Sequence, residues 1–520
     1  MTSRYHHLRL QVPCSLLVFS MMLGATAQSP TPTDNGSPLT LHVTTRLVVL
    51  DVVVLDKSGH PVSNLDRSQF SITEDKVPQK IRSFDPPSGH MMPTGSAIHP
   101  IVHGTEDLAK IGNAPVNILV FDELNTKWDG TAYARQQMEK FLKAQPEVLT
   151  VPTLLVAAGD DGFKVLHDYT QSRSELLEAI RTHFPQFPWQ MMRGGSSINI
   201  ERLEQTLGTL SQIAESSRGT PGRKNVIWVG SGYPTIDTTS LQFDDENKLL
   251  AVIQRVTDRM LAARVTLYMV EPTGVATGST DSGSGSDDGS AVDTGVANLS
   301  PYMGDLDFAT FATATGGEIF ANRNDVNVAI GQSITDGGVY YTLSYVPTNL
   351  SDDAQKYRKI RVKLKDPSLH AVTRDGYFPT TEPVDAVPTG KEKPSNQLQF
   401  DLMSAAQTRL AYNGLKVQVK LVTVGYQLLV GAKELHWVDQ PDGSRLAEIT
   451  VMTVFFNAKD KELQSHPEEF KEKIGKDVQL NDQAEIAIKL PLEPPPGMAR
   501  VRFVVRDAAT GALGTTESTR

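Results

Sequence analysis

Two stretches of the chain are apolar at nearly every position and then break into polar loops. Val116-Asn117-Ile118-Leu119-Val120-Phe121 runs into Asp122-Glu123-Leu124-Asn125-Thr126, and Asn225-Val226-Ile227-Trp228-Val229 runs into Gly230-Ser231-Gly232. Continuous runs of this length, bounded by turn residues, predict strands buried on both faces of a parallel sheet. Val151 to Ala158, Phe163 to Tyr169 and Val265 to Val270 repeat the pattern. Between them the period becomes helical. Ala132 to Leu142 is one such segment. Leu176, Leu177, Ile180 and Phe184 follow the capping box Ser172-x-x-Glu175, and Ile200, Leu203, Leu207, Leu210 and Ile213 keep the same spacing. Leu249 to Leu261 follows Asp244, Asp245 and Glu246, whose charges favour a helix N-terminus. Strand alternating with helix predicts an α/β fold, a doubly wound and mostly parallel sheet, over residues 115–379. Period-two alternation in Tyr341 to Tyr345 and Ile360 to Leu364 adds an antiparallel extension.

The flanks read differently. Residues 39–85 carry the β-branched run Arg46 to Asp56 and the alternating Phe70-Ser71-Ile72-Thr73-Glu74, and predict a small β module. Residues 86–114, rich in Pro, Gly and His, read as a linker, as does the polar segment 380–397. Residues 398–520 show strand-like runs at Lys416–Val424, Glu448–Phe456, Ala484–Leu490 and Arg500–Val505, with a helical pattern only at Pro467 to Ile474; a β-sandwich-like domain is expected. Residues 274–300, rich in Gly, Ser, Thr and Asp, are expected to be a flexible insertion. Its acidic run, Asp281 to Asp288, lacks the spaced ligands and closing Glu of a calcium loop.

Composition adds an address. The first 27 residues combine Arg4 and Arg9, an apolar stretch from Val12 to Leu23 and Ala25-Thr26-Ala27, the pattern of a cleaved signal peptide. The apolar stretch falls short of the roughly 20 residues that span a bilayer. Residues 28–38 read as a disordered leader, and the mature protein is expected to be exported, to the periplasm or beyond the cell. The one cysteine, Cys14, lies inside the signal, so disulfide, thiolate and Cys-zinc chemistry are excluded from the mature chain. With 50 basic and 60 acidic residues and no basic stripe, nothing marks a nucleic-acid surface. No later segment reads as a membrane span.

Several of these features resemble one family. Leu65-x4-Phe70-x-Ile72-x-Glu74-Asp75, Phe121-Asp122-x-Leu124-Asn125-Thr126, Lys224-Asn225-Val226-Ile227, Thr315-Gly316-Gly317-Glu318, Tyr341-x-Leu343-x-Tyr345 and Arg374-x-Gly376-Tyr377-Phe378 together resemble VWFA-related domain proteins of the acidobacterial type, with a von Willebrand factor A-like domain at the centre. Coverage runs from about residue 40 to residue 380. The resemblance implies a Mg²⁺ site at the carboxyl end of the sheet, built from Asp-x-Ser-x-Ser, a Thr and a later Asp. Here Asp122 supplies the first acid, Leu124 replaces the first Ser, Thr126 fills the second, Ser196 stands for the Thr and Ser231 replaces the last Asp. Mg²⁺ demands six hard oxygens in near-octahedral array. Asp122, Thr126 and Ser196 make an incomplete set, so Asp122 is expected to serve as a structural hydrogen-bonding acid, with Mg²⁺ the alternative.

Enzyme readings find little support. Gly230-Ser231-Gly232 lacks the Gly-x-Ser-x-Gly of a nucleophile elbow, whose glycine positions are held by Val229 and Tyr233. No phosphate loop, His-Glu-x-x-His or dinucleotide fingerprint occurs, and the histidines are scattered. The expectation is a non-enzymatic adhesion or scaffolding protein. It would grip a protein partner at the crevice rim through Asp122, Asn125, Ser196 and Ser231, with Trp128 and Trp189 nearby. A serine-type hydrolase using Ser231 is the weaker alternative.

Overall fold

The computed structural model describes residues 47–159, 162–185, 196–238, 241, 243–272, 301–302, 305–348, 356–379 and 396–519. The signal peptide, the leader, the insertion 274–300, Trp189 and most of the segment 380–397 lie outside the described residues. Among the described residues no helix is long and apolar enough to cross a membrane.

The strands β1 (Val48–Leu55), β2 (Phe70–Glu74), β3 (Val77–Gln79) and β4 (Ile81–Asp85) do not form a sheet of their own. Apart from the β2–β3 hairpin, their partners come from roughly 260 to 320 residues later in the chain, after the α/β region described next. That region starts with β5 (Val116–Asp122), α1 (Trp128–Lys143), β6 (Val148–Gly159), β7 (Gly162–Ser172), α2 (Arg173–Thr182), α3 (Ser196–Ser216), β8 (Lys224–Val229) and β9 (Ile236–Asp237). It continues with α4 (Phe243–Ala262), β10 (Val265–Val270), β11 (Asp305–Leu306), α5 (Phe308–Ala314), β12 (Ile319–Phe320) and α6 (Val326–Gly338). The sheet order is β12-β10-β8-β5-β6-β7, parallel except for β7, which runs antiparallel at the edge.

Alternation within each run decides how the sheet is covered. Ile118 and Val120, Val226 and Trp228, and Leu267 and Met269 pack on one face under α3, α4 and α5. Leu119 and Phe121, Ile227 and Val229, and Tyr268 and Val270 pack on the other under α1, α2 and α6. Both faces are buried, and so the runs carry no polar face. The segment 86–114 is no free linker: Val102, Leu108 and Ile111 enter the first of these cores, and the Gln171 side chain holds Ile101 N and Ser96 O. Phe184, expected to face inward on α2, lies past the end of that helix and is 82% exposed.

The chain then returns to the first module as β13 (Tyr341–Tyr345), β14 (Arg358–Leu364), β15 (His370–Val372) and β16 (Gly376–Tyr377). Two four-stranded sheets result, β15-β1-β13-β4 and β16-β14-β2-β3, with Leu50, Val52, Ile72, Tyr341, Leu343 and Ile360 between them. The separate β module and antiparallel extension expected from sequence are thus one antiparallel assembly into which the α/β region is inserted. At its centre Glu74, fully buried, accepts from Tyr345 (2.6 Å), Tyr377 (3.1 Å) and Arg358 (2.9 Å).

The C-terminal part opens on α7 (Asn396–Gln407), followed by β17 (Val417–Leu421), β18 (Tyr426–Gly431), β19 (Val438–Asp439), β20 (Arg445–Phe456), β21 (Glu462–Ile474), β22 (Glu485–Leu490), β23 (Arg500–Asp507) and β24 (Leu513–Thr519). The sheet β17-β18-β22 packs on the sheet built from β19, β20, β21, β23 and β24. The helical pattern at 467–474 was misleading: Glu and Lys favour helix locally, but these residues pair along β20 as an edge strand. Pro467 is tolerated there because an edge strand leaves one row of backbone groups unpaired. α7 covers the outer face of β20 and β23 with Leu402, Ala405 and Ala406. It also ties that sheet to the α/β region, since Asp401 accepts two hydrogen bonds from Arg259 of α4 (3.1 and 2.9 Å).

Candidate functional site

The strand β5 delivers Asp122 to the carboxyl end of the sheet, where open parallel sheets form their ligand crevice. Asp122 is completely buried. One carboxylate oxygen, Oδ1, accepts from Leu124 N (3.1 Å) and Asn125 N (2.9 Å), which curls the loop back on the strand. The other, Oδ2, accepts from Trp228 Nε1 (3.0 Å) and Gly232 N (2.9 Å) of the loop after β8. An ionised carboxylate has about four lone-pair sites, and N–H donors fill them. Burial pushes the Asp122 pKa up, against the lowering effect of these donors and of the Arg202 charge.

Thr126 closes the same junction one turn further on, its Oγ1 accepting from Ser231 N at 3.1 Å. The two glycines beside Ser231 have steric causes. A Cβ at Gly230 would stand 2.2 Å from Asp122 Cβ, and Gly232 takes φ +65° against the Phe308 ring, which a Cβ would meet at 2.2 Å. Gly-Ser-Gly therefore lets two loops touch, and Ser231 itself is half-buried. Among the described residues no histidine or carboxylate hydrogen-bonds its hydroxyl.

Asn125 extends the clasp to α3. Its Nδ2 donates to Thr206 Oγ1 (2.9 Å), while its Oδ1 accepts from Arg202 Nε (3.0 Å) and its carbonyl from Arg202 Nη2 (3.3 Å). Glu123 turns the other way and pairs with His183 just past α2, both side chains nearly sealed from solvent. The structure thus joins Asp122, Asn125, Thr126 and Ser231 in one junction. Ser196 begins α3, but its side chain lies outside the described residues. Trp128, the first residue of α1, is 58% exposed at the rim.

Sequence reasoning missed Arg202, His183 and Trp228 as members of this junction. A signal for the first existed: Arg202 and Thr206 are four apart, and so share one face of α3. Trp228 reads as core from its neighbours, and only its indole N–H reveals the second role.

A Mg²⁺ ion implied by the resemblance does not fit these residues. The Asp122 oxygens and Thr126 Oγ1 already accept N–H groups, Leu124 is apolar and buried, and among the described residues no three His, Cys, Asp or Glu side chains gather as a metal site. The positive charge beside Asp122 is that of Arg202.

No protein family model matches the chain, and no curated protein matches it. Among solved structures, it is similar to proximal thread matrix protein 1 from the mussel byssus (13% identity, TM-score 0.26, 43% of this chain on 47% of that one). It is also similar to the VWA domain of SpRpn10 (14%, TM-score 0.16, 31% on 88%) and to the pilus adhesin SpaC of Lactobacillus rhamnosus GG (9%, TM-score 0.24, 76% on 53%). The chain spans about half the length of the mussel protein and of the pilus adhesin. Overlaps this partial and distant carry no functional information.

Proposed function

We propose that this chain is an exported, non-enzymatic protein-binding molecule, with a von Willebrand factor A-like domain whose crevice rim grips a protein partner in the envelope or outside the cell. The observation that supports this reading is the saturation of Asp122. A carboxylate whose oxygens each take two N–H donors is a clamp for loops and has no capacity left for proton transfer or for a cation. The loops it clamps stand on a sheet covered on both faces, a rigid base of the kind on which binding loops are commonly carried. Trp128 is an exposed aromatic at the rim, and such residues dominate binding energy when a partner covers them.

The test pairs capture with calorimetry. The mature chain, immobilised, is offered an envelope extract beside Trp128→Ala and beside Val424→Asp, a change on the distant β17–β18 turn. Partners recovered by wild type and Val424→Asp but lost from Trp128→Ala support the rim. Equal recovery by all three rejects it. Titration with Mg²⁺ is expected to give no saturable heat and no shift in melting temperature; a stoichiometric heat would move the reading to a metal-dependent adhesion site.

A further inference from the structure

Resting on the protein-binding reading, we infer that the guanidinium of Arg202 is a built-in cation at the crevice, placed to receive an aspartate or glutamate carboxylate of the protein partner. Among the described residues Arg202 is held on one edge. Its Nε and Nη2 donate to the side-chain and main-chain oxygens of Asn125, whose own N–H is fixed by Asp122. Its side chain remains half-buried, and among the described residues Nη1 takes no acceptor and no carboxylate lies within ion-pair distance.

That pairing sets it apart from the other internal arginines. Arg259 reaches Asp401, Arg264 reaches Asp51, Arg358 reaches Glu74 and Arg502 reaches Glu517. Arg223 also contacts neutral groups, Asn225 and Tyr268, but it is sealed from solvent. Arg202 alone of these combines a neutral clamp with access to water. A guanidinium stays charged in any such setting and matches a carboxylate with two parallel N–H donors. The carboxylate whose charge acts on it, that of Asp122, is already occupied by four N–H groups. One cation suits a singly charged carboxylate better than a phosphate dianion, and pre-anchoring on Asn125 lowers the ordering cost of binding.

The experiment uses the full mature chain with ¹⁵N-arginine and follows the Nε–H resonance of Arg202, assigned by its loss in Arg202→Gln. N-acetyl-aspartate amide, N-acetyl-asparagine amide and inorganic phosphate are titrated in parallel. A saturable shift with the aspartate compound, absent with the asparagine one and weaker with phosphate, is expected. A response to phosphate alone, or to no compound, overturns the assignment. Envelope capture is then repeated with Arg202→Gln and Arg202→Lys, with melting temperature as the check on folding. Arg202→Gln is expected to weaken capture on the order of ten- to hundredfold, the worth of a hydrogen bond to a charged group. Arg202→Lys is expected to recover part of it, since it keeps the charge and loses the fork. Capture that depends on Trp128 and not on Arg202 would overturn this inference and leave the protein-binding reading standing. An aspartate-specific shift with no capture by any variant would do the reverse.

Discussion

Replacing Asp122 by asparagine changes almost no volume and reverses half of a hydrogen-bond set. The carboxamide oxygen can keep one pair of donors, either Leu124 N and Asn125 N or Trp228 Nε1 and Gly232 N. Its NH₂ group then faces the other pair, donor against donor. Hydrogen bonds to a charged acceptor contribute about 1.5–3 kcal/mol each, so two lost bonds cost about 3–6 kcal/mol. Removing a charge from a fully buried site returns part of this, because burial opposes ionisation there. A net loss of about 2–4 kcal/mol is expected. Urea denaturation read by far-ultraviolet circular dichroism measures it, and tryptophan emission reports locally, since Trp228 loses or keeps its indole partner with the substitution. An unchanged midpoint and unchanged emission in Asp122→Asn would refute the clamp. So would a variant of wild-type stability that had lost a Mg²⁺ response present in the parent.

Three further outcomes follow from the geometry. Lys224 is buried, with its pKa pulled down to about 7, first by desolvation and then by Arg264, against the opposing pull of Asp51. Between about 7 and the ordinary 10.5 only the unfolded chain holds that proton, so stability rises with pH through this window; Lys224→Met should flatten the rise in melting temperature between pH 7 and about 9, and an unaltered pH profile would count against it. Gly230→Ala places a Cβ against Asp122 and should cost more than about 2 kcal/mol or prevent folding, whereas Ser231→Ala should stay within about 0.5 kcal/mol by the same urea assay; the opposite ranking would restore a special role for Ser231. Asp401→Ala removes the two hydrogen bonds that Arg259 makes to a buried carboxylate, leaving it Ser211 and, at 3.9 Å, Glu215, and should destabilise by about 3 kcal/mol; equal melting temperatures for wild type and Asp401→Ala would show that the α7 anchor contributes nothing.

Much of the architecture was readable in one dimension because burial on two faces leaves a signature that needs no partner. β5, β8 and β10 are apolar at most positions for that reason, and Leu203 to Ile213 keep helical spacing because α3 buries one continuous stripe. The capping box at Ser172 holds in half: Ser172 Oγ accepts from Glu175 N (3.3 Å), but Glu175 itself turns to Thr170 (2.7 Å). The same local logic failed at 467–474, where Glu and Lys advertise a helix and the backbone hydrogen bonds go to β20 instead.

What sequence alone determined was the type of the long elements of the α/β region, the exposure of their faces and the residue types available at the carboxyl end of the sheet. Tertiary structure decided the partners. It paired Val48–Leu55 with Tyr341–Tyr345 across the inserted α/β region, brought Trp228 and Gly232 onto Asp122, and set Arg202 against Asn125. Periodicity records whether a side chain meets water or protein, a property of one residue and its immediate neighbours. Which donor meets which acceptor depends on the relative placement of strands and helices, and that exists only once the cores between them have closed.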